Sequence, residues 1–464
     1  MKARSIVIGV GAVVLLAAGG AGALLYAGGR RDVTTSSREA ARHYREALEN
    51  ERGYYFKEAR LGYARALELD PEFAEAMLGL ARQSTDPEQA AALVQKAARQ
   101  TDRLTERERL HVAMELARVE RRRDDVIRIA GEIHAKHPDD VRAAMMLASR
   151  ELLLGKPDGA IRIYEDVLAV DPNNAEAYNQ IGYLYAWRGE MDKAIANLKK
   201  YQFMRPGAAN PYDSLGEVQA YAGRYDEAIA NLNEAIKIKA DFHESWGHMG
   251  VAYEGKGEPA RAIACYEKAA DLADNDAKRG DYLGMAARVA FWTKDRAKLE
   301  ELAARMGKLP KTPYTEMDKD LVTAAVALVS GRPAEALGPL SEARSKWELA
   351  VAKERPPANW VPDWPDWNLV SALAYVALHK DSEAMPFLER LATPPNPYRN
   401  LPEERCAFEG RALLAAALAR KGDLDRAEKL LDQNRKQNPS WAPTKELELS
   451  VAQARREKVL AATK

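Results

Sequence analysis

Cysteine is almost absent from this chain, with only Cys265 and Cys406 among 464 residues. Two thiols cannot build a disulfide framework or a zinc knuckle. One bridge between them is conceivable in an oxidising compartment, but buried free thiols are the expected state. Net charge is absent too, because 69 acidic residues balance 69 basic ones. A neutral chain without a long Lys/Arg run has no field to draw in nucleic acid, so no nucleic-acid partner is expected. Alternating β-branched stretches, the usual mark of a strand, are missing.

Signatures of chemistry are missing as well. His134 and His137 close a helix, where cation capping is ordinary. His243 and His248 stand five apart, a poor spacing for two ligands on one helical face. Neither pair has beside it a Cys or carboxylate set that resembles a known metal motif, so no metal is expected. Walker loop, dinucleotide fingerprint, nucleophile elbow and kinase signatures do not occur. The expectation is therefore no catalytic residue, no cofactor, no small-molecule substrate and no enzyme.

What the chain does have is helix-forming composition. Hydrophobic residues make up 47% and charged residues 30%, with Leu, Ala, Glu, Arg and Lys abundant. An all-α fold follows. At the N-terminus, Ser5 to Gly29 runs for 25 residues without a charge, between Lys2/Arg4 and Arg30-Arg31. As a helix it would extend roughly 37 Å, enough to cross a bilayer with some tilt. A cleavable signal peptide competes, since Ala21-Gly22-Ala23 has the spacing of a cleavage site. The length of the apolar run favours an uncleaved single-pass anchor over residues 1–31, and the lack of a nearby cysteine excludes a lipoprotein. Lys2, Arg4 and the amine place the N-terminus in the cytoplasm, whereas Arg30, Arg31, Arg38, Arg42 and Arg45 argue the reverse. An extracytoplasmic, periplasmic body is the orientation expected.

A 34-residue period dominates the rest. Gly155, Gly189, Gly223 and Gly257 recur at that interval in short polar breaks. Ala160, Ala194, Ala228 and Ala262 follow five residues later, then Tyr164, Leu198, Leu232 and Tyr266. Upstream stand Leu147-Ala148, Ile181-Gly182, Leu215-Gly216 and Met249-Gly250. Tyr178, Tyr212 and Trp246 open three units, and Pro138, Pro172 and Pro206 end three. Apolar residues at helical spacing on both sides of each glycine predict two amphipathic helices per unit. Gly182, Gly216 and Gly250 leave room for the paired helix, and proline stops the second helix. One pair cannot bury its own apolar faces, so the units must stack.

These residues resemble the tetratricopeptide repeat, W-x2-L-G-x2-Y, then A-x3-F, then P. Trp246-x2-Met249-Gly250-x2-Tyr253 with Ala262-x3-Tyr266 is a close match. Tyr178-x2-Ile181-Gly182-x2-Tyr185, Ala194-x3-Leu198 and Pro206 form another. Ala240 replaces the last proline in one unit, and the unit from Arg107 lacks its glycine. The resemblance implies a right-handed superhelical solenoid of stacked helix-turn-helix pairs, following the N-terminal hydrophobic helix.

Five regular units are expected over 107–276, preceded over 32–106 by degenerate ones. Of those, Tyr55, Ala59, Tyr63, Ala66 and Pro71 read as one second half, and Ala74 to Gln100 as a compact pair. Thr105 to Glu108 has the form of a capping box. Over 277–440, Ala336 with Leu340, Ala384 with Leu388 and Ala427 with Leu431 mark three more units, interrupted by a Pro/Trp-rich loop at about 356–367. There Trp360, Trp364 and Trp367 read as anchors of a folded-back loop. A polar helix over 441–464 caps the end.

On a wheel centred on Tyr178, Ile181, Gly182 and Tyr185 cluster within roughly 60°, and Asn179, Tyr183 and Trp187 fall opposite. The same stripe continues as Asp213, Glu217 and Tyr221, with His248 in the next unit. The wheel predicts that this stripe is exposed, and the alternative for Tyr183, Trp187 and Tyr221 is that they pack against the adjacent repeat. The resemblance implies that it lines the concave groove where a partner segment lies. Tyr and Trp beside Asn, Asp and Glu suit a peptide of apolar and basic or amide character. The family's carboxylate clamp needs Lys, Asn and Arg, whereas Met145, Asn179 and Asp213 stand here. The expected function is a membrane-anchored adaptor that binds a protein in the groove. A regulatory or assembly subunit of an envelope enzyme is the alternative, and an enzyme built on the degenerate C-terminal repeats is a third reading.

Overall fold

The computed structural model describes residues 33–53, 55–84, 86–354, 365–393, 401–438 and 440–462, with backbone alone at 353, 354, 401–406, 443 and 459–462. The expected anchor, Trp360, Trp364, Pro439 and the Cys406 side chain lie outside the described residues. Among the described residues no helix is long and apolar enough to cross a membrane. Every regular element described is helical.

The helices come in pairs. In chain order they are Arg38–Arg52 with Phe56–Leu69, Ala74–Arg82 with Pro87–Ala98, Glu106–Val119 with Arg123–Lys136, and Val141–Leu153 with Pro157–Val170. Next come Ala175–Trp187 with Met191–Met204, Ala209–Tyr221 with Tyr225–Ile238, and His243–Lys256 with Pro259–Leu272. Asp276–Trp292 with Arg296–Met306, Pro313–Val329 with Pro333–Glu354, Pro365–Ala377 with Asp381–Ala392, and Leu401–Arg420 with Leu424–Gln437 complete the stack. Lys445–Ala462 ends it. Each helix packs on its partner, and first helices also touch the first helix of the following pair, as Ala209–Tyr221 does on His243–Lys256. The first helices therefore form one continuous inner layer.

The capping box at Thr105 is present, with the hydroxyl accepting from the Glu108 amide and the Glu108 carboxylate accepting from the Thr105 amide. Within each pair the close approach is real. A Cβ on Gly182 would stand 2.7 Å from Leu198, on Gly216 2.6 Å from Leu232, and on Gly250 2.6 Å from Tyr266. The alanines at 160, 194, 228 and 262 are completely buried beside these contacts. Helix turns close with a left-handed residue. Gly155, Gly189, Gly223 and Gly257 have φ between 69° and 80°. The amide just after the left-handed glycine bonds back to the carbonyl five residues earlier, as Arg224 does to Gln219 at 2.8 Å.

Where glycine is missing, the turn persists. Arg121, Lys294 and His379 take φ of 58°, 57° and 56° in the same place. This explains how the unit from Arg107 stays in register. The pair Asp276–Trp292 with Arg296–Met306 has no consensus marks, and so escapes the count of three units after residue 277. Its second helix is held by buried Leu299, Leu302 and Met306. The helix Arg38–Arg52 is also new; its arginines face outward while Ala40, Tyr44 and Ala47 are buried.

Towards the C-terminus the stack folds onto the regular units. Phe408 and Trp441 join their apolar cluster, and Asn438 accepts from the Tyr225 hydroxyl at 3.0 Å. Trp367 donates to the Leu340 carbonyl at 2.8 Å and meets Phe387 edge-on. Cys265 is a buried free thiol, pushed up to about 11 by burial.

Three outcomes follow. Gly250→Val should cost about 3 kcal/mol in urea unfolding, because Tyr266 cannot retreat within the core. Gly131→Ala, whose Cβ would meet nothing within 4 Å, should instead gain up to about 1 kcal/mol. Lys294→Gly should stabilise by about 0.5–1 kcal/mol, read from the same unfolding curves, by relieving its left-handed backbone.

Candidate functional site

All seven residues of the expected stripe sit on three consecutive inner helices, Ala175–Trp187, Ala209–Tyr221 and His243–Lys256. The expectation that the stripe is exposed fails. Asn179 retains 2% exposure, Asp213 3%, Glu217 8% and Tyr221 2%. Tyr183, Trp187 and His248 are half-buried. The physical reason is the inner layer itself. First helices lie against one another, so a side chain opposite the paired helix meets the next repeat instead of solvent.

That juxtaposition produces hydrogen bonds one repeat long. The Tyr183 hydroxyl donates to Glu217 Oε2 at 2.6 Å. Ser245 donates to Asp213 Oδ1 at 2.7 Å, and His248 Nδ1 lies 3.0 Å from the same oxygen. His248 Nε2 is 3.5 Å from Glu217 Oε1. Four of the seven positions, Tyr183, Asp213, Glu217 and His248, thus meet in one acidic network. Asn179 borders it, but among the described residues no donor reaches its Oδ1. Its counterpart 34 positions on, Asp213, is satisfied by Ser245 and His248. Opposite Asn179 the corresponding residues are Pro211, which has no hydroxyl, and Ser214, which is engaged by Tyr183. Trp187 stacks obliquely on Tyr183 with centroids 6.3 Å apart, and Tyr221 is a core residue.

Burial opposes charge on His248, but Asp213 and Glu217 outweigh it and raise its pKa to about 10. The imidazole is therefore a cation at neutral pH. His243, five residues earlier, is the reverse: burial and then Lys278 lower it to about 4. Burial pushes the Glu217 carboxyl up, with Asp213 adding to it, and holds the Tyr183 phenol well above its ordinary range. Further along the inner layer stand Asp281, Asp318 and Asp366. Burial first, then repulsion from Asp281 and Asp366, raises Asp318 to about 7. Among the described residues no group of His, Cys, Asp and Glu is arranged to hold a metal.

A second buried network precedes the first, and sequence reasoning missed it. His111 Nδ1 is 2.7 Å from Glu75 Oε1 and its Nε2 2.8 Å from Asp140 Oδ2, all three residues being 2% exposed. Arg142 pairs with Glu75 at 2.9 Å and Arg107 with Asp140 at 2.8 Å. Burial and Arg142 oppose the imidazolium, yet Glu75 and Asp140 leave the His111 pKa raised. A signal existed: 111, 145, 179, 213 and 281 share one repeat position, so His111 belongs to the same column as Asn179 and Asp213.

Tetratricopeptide-repeat profiles match residues 151–215, 216–257 and 243–276. The repeats in that stretch are of tetratricopeptide type. No curated protein matches the chain. Among solved structures, a crystal structure of MamA is 28% identical, covering 34% of this chain and 93% of its own, with a TM-score of 0.30. The Cut9–Hcn1 hetero-tetramer of APC/C is 16% identical, covering 89% of this chain and 76% of its own, with a TM-score of 0.44. An O-GlcNAc transferase mutant from Thermobaculum terrenum is 23% identical, covering 28% and 26%, with a TM-score of 0.26.

Since the folded pKa of His248 is raised, its contribution to stability is complete below its ordinary value near 6.5 and is lost as pH rises through about 10. His248→Ala should cost on the order of 2 kcal/mol at pH 7, less than a fully buried pair would, because the side chain keeps 24% exposure. Urea unfolding at pH 7 and above pH 10 checks this, and the difference between variant and wild type should shrink at the higher pH.

Proposed function

We propose that this chain is a protein-binding scaffold that holds a partner segment against its inner helices and is tethered to a membrane through residues 1–31. The observation that carries the reading is the unbroken run of tetratricopeptide repeats over 151–276, because such repeats point to protein–protein interaction and to a non-enzymatic role. The membrane tether rests on the 25 uncharged residues from Ser5 to Gly29. The extracytoplasmic placement of the body rests on the charges ahead of that run.

The chemistry of the inner layer supports a partner that brings positive charge or amide donors. Glu176, Glu217, Glu244 and Asp318 all have carboxyl groups raised by burial, the sign of negative charge with too few cations around it. Asn179 adds an acceptor still lacking a donor. Tyr183 and Trp187 supply aromatic surface at the border. Asp281 is exposed and lies at the same repeat position as Asp213, which makes it the acid a partner meets without disturbing the core.

Crosslinking and co-purification of the anchored full chain from its native membrane tests the reading. Asp281→Lys should leave helicity and melting unchanged and lower recovery of a specific protein about tenfold. Equal recovery by variant and wild type would remove the inner face as the binding surface.

A further inference from the structure

The first helix pair has a second set of contacts, far from its own repeat. Its turn and the residues flanking it reach the N-terminal ends of four successive inner helices. Arg52 lies 3.6 Å from Glu176. The Tyr55 hydroxyl accepts from the Ala209 amide at 2.8 Å, and its ring meets Phe242 edge-on at 5.6 Å. Lys239 pairs with Glu58 at 2.7 Å and sits over the Tyr55 ring, while Lys278 sits over Phe56. Arg205 pairs with Glu49.

Position explains what these contacts cover. Glu176, Ala209, Phe242 and Lys278 open helices whose inner stripe starts one to two turns later, at Asn179, Asp213, His248 and Asp281. The first pair therefore lies across one mouth of the inner face. The opposite ends of three of those helices, at Gly189, Gly223 and Gly257, adjoin Gln437, Asn438 and Ala442.

The two ends are held differently. The C-terminal side shares the main apolar cluster through Phe408 and Trp441. The N-terminal side is held by a small patch, in which Tyr55 borders buried Ala209, Ala235 and Phe242, by one hydrogen bond, by Lys239 and Lys278 over the Tyr55 and Phe56 rings, and by partly exposed ion pairs. Exposed ion pairs contribute little and are screened by salt. Meanwhile Ala40, Tyr44, Ala59 and Tyr63 bury the pair's own apolar face in a separate cluster, so release would not expose it.

We infer that the Arg38–Leu69 pair is a releasable latch, closed over one mouth of the inner groove by Tyr55 and opened to admit a partner. The consequence for binding rests on the groove reading above, but opening itself can be observed without any partner. Residues 34–36, which lead into the latch, are tied to Glu108 and Asp70.

The test uses the purified full chain, its Tyr55→Ala variant and its Lys239→Glu variant. Amide exchange at Ala209 and the X-ray scattering radius of gyration are read at low and high salt. Both variants should raise Ala209 exchange about tenfold and enlarge the particle, with helicity and the main unfolding transition unchanged. Salt should move the wild type the same way, and Glu58→Lys combined with Lys239→Glu should restore closure. Unchanged exchange and radius would overturn the latch. So would collapse of the main transition, which would make the first pair part of the common core. Dimer formation with Ala209 still protected would show a second copy in the seat and overturn an intramolecular latch. Recovery of the membrane partner is scored separately: an open latch without greater recovery defeats the groove reading and leaves the latch standing.

Discussion

The middle of this stack depends on a missing carbon atom in three successive repeats. At Gly182, Gly216 and Gly250 the paired helix brings Leu198, Leu232 and Tyr266 to where a Cβ would stand. That approach fixes how the two helices of a pair cross, and so which faces remain to be buried by the next pair. Repetition every 34 residues then lays the first helices side by side. Once they touch, residues at one repeat position become neighbours along a column, and the chemistry of that column is set by packing upstream of it.

The inner layer is accordingly a buried polar seam. Isolated charges there would be costly. The chain offsets the cost with partners one repeat away, as in Tyr183 to Glu217, His248 to Asp213 and His111 to Glu75. Carboxylates raise the pKa of two histidines, His111 and His248, while burial and Lys278 lower that of His243. The compensation is incomplete further along, where Asp281, Asp318 and Asp366 repel one another. A basic or amide-rich partner would complete what the chain leaves uncompensated.

Much of this was legible in the residues. The period, the glycine contacts, the capping box at Thr105 and the buried alanines all follow from local rules of helix geometry. Three things did not follow. The wheel placed Asn179, Asp213 and Glu217 opposite their own partner helix, but it knows nothing of the next repeat, so it read burial as exposure. Consensus marks missed the Asp276–Met306 pair, whose turn uses Lys294 where glycine was expected. Tyr55 read as a repeat-core residue because its spacing to Ala59 fits. Its contact with Phe242 joins positions 187 apart, a distance no local pattern encodes.

Hydrogen exchange on the chain with and without its crosslinked membrane partner tests the central claim, that the inner layer is the binding surface. The account predicts new protection on Ala175–Trp187, Ala209–Tyr221, His243–Lys256 and Asp276–Trp292, with the outer helices Met191–Met204 and Tyr225–Ile238 unchanged. Protection confined to the outer helices, or to residues beyond Pro313, would contradict it.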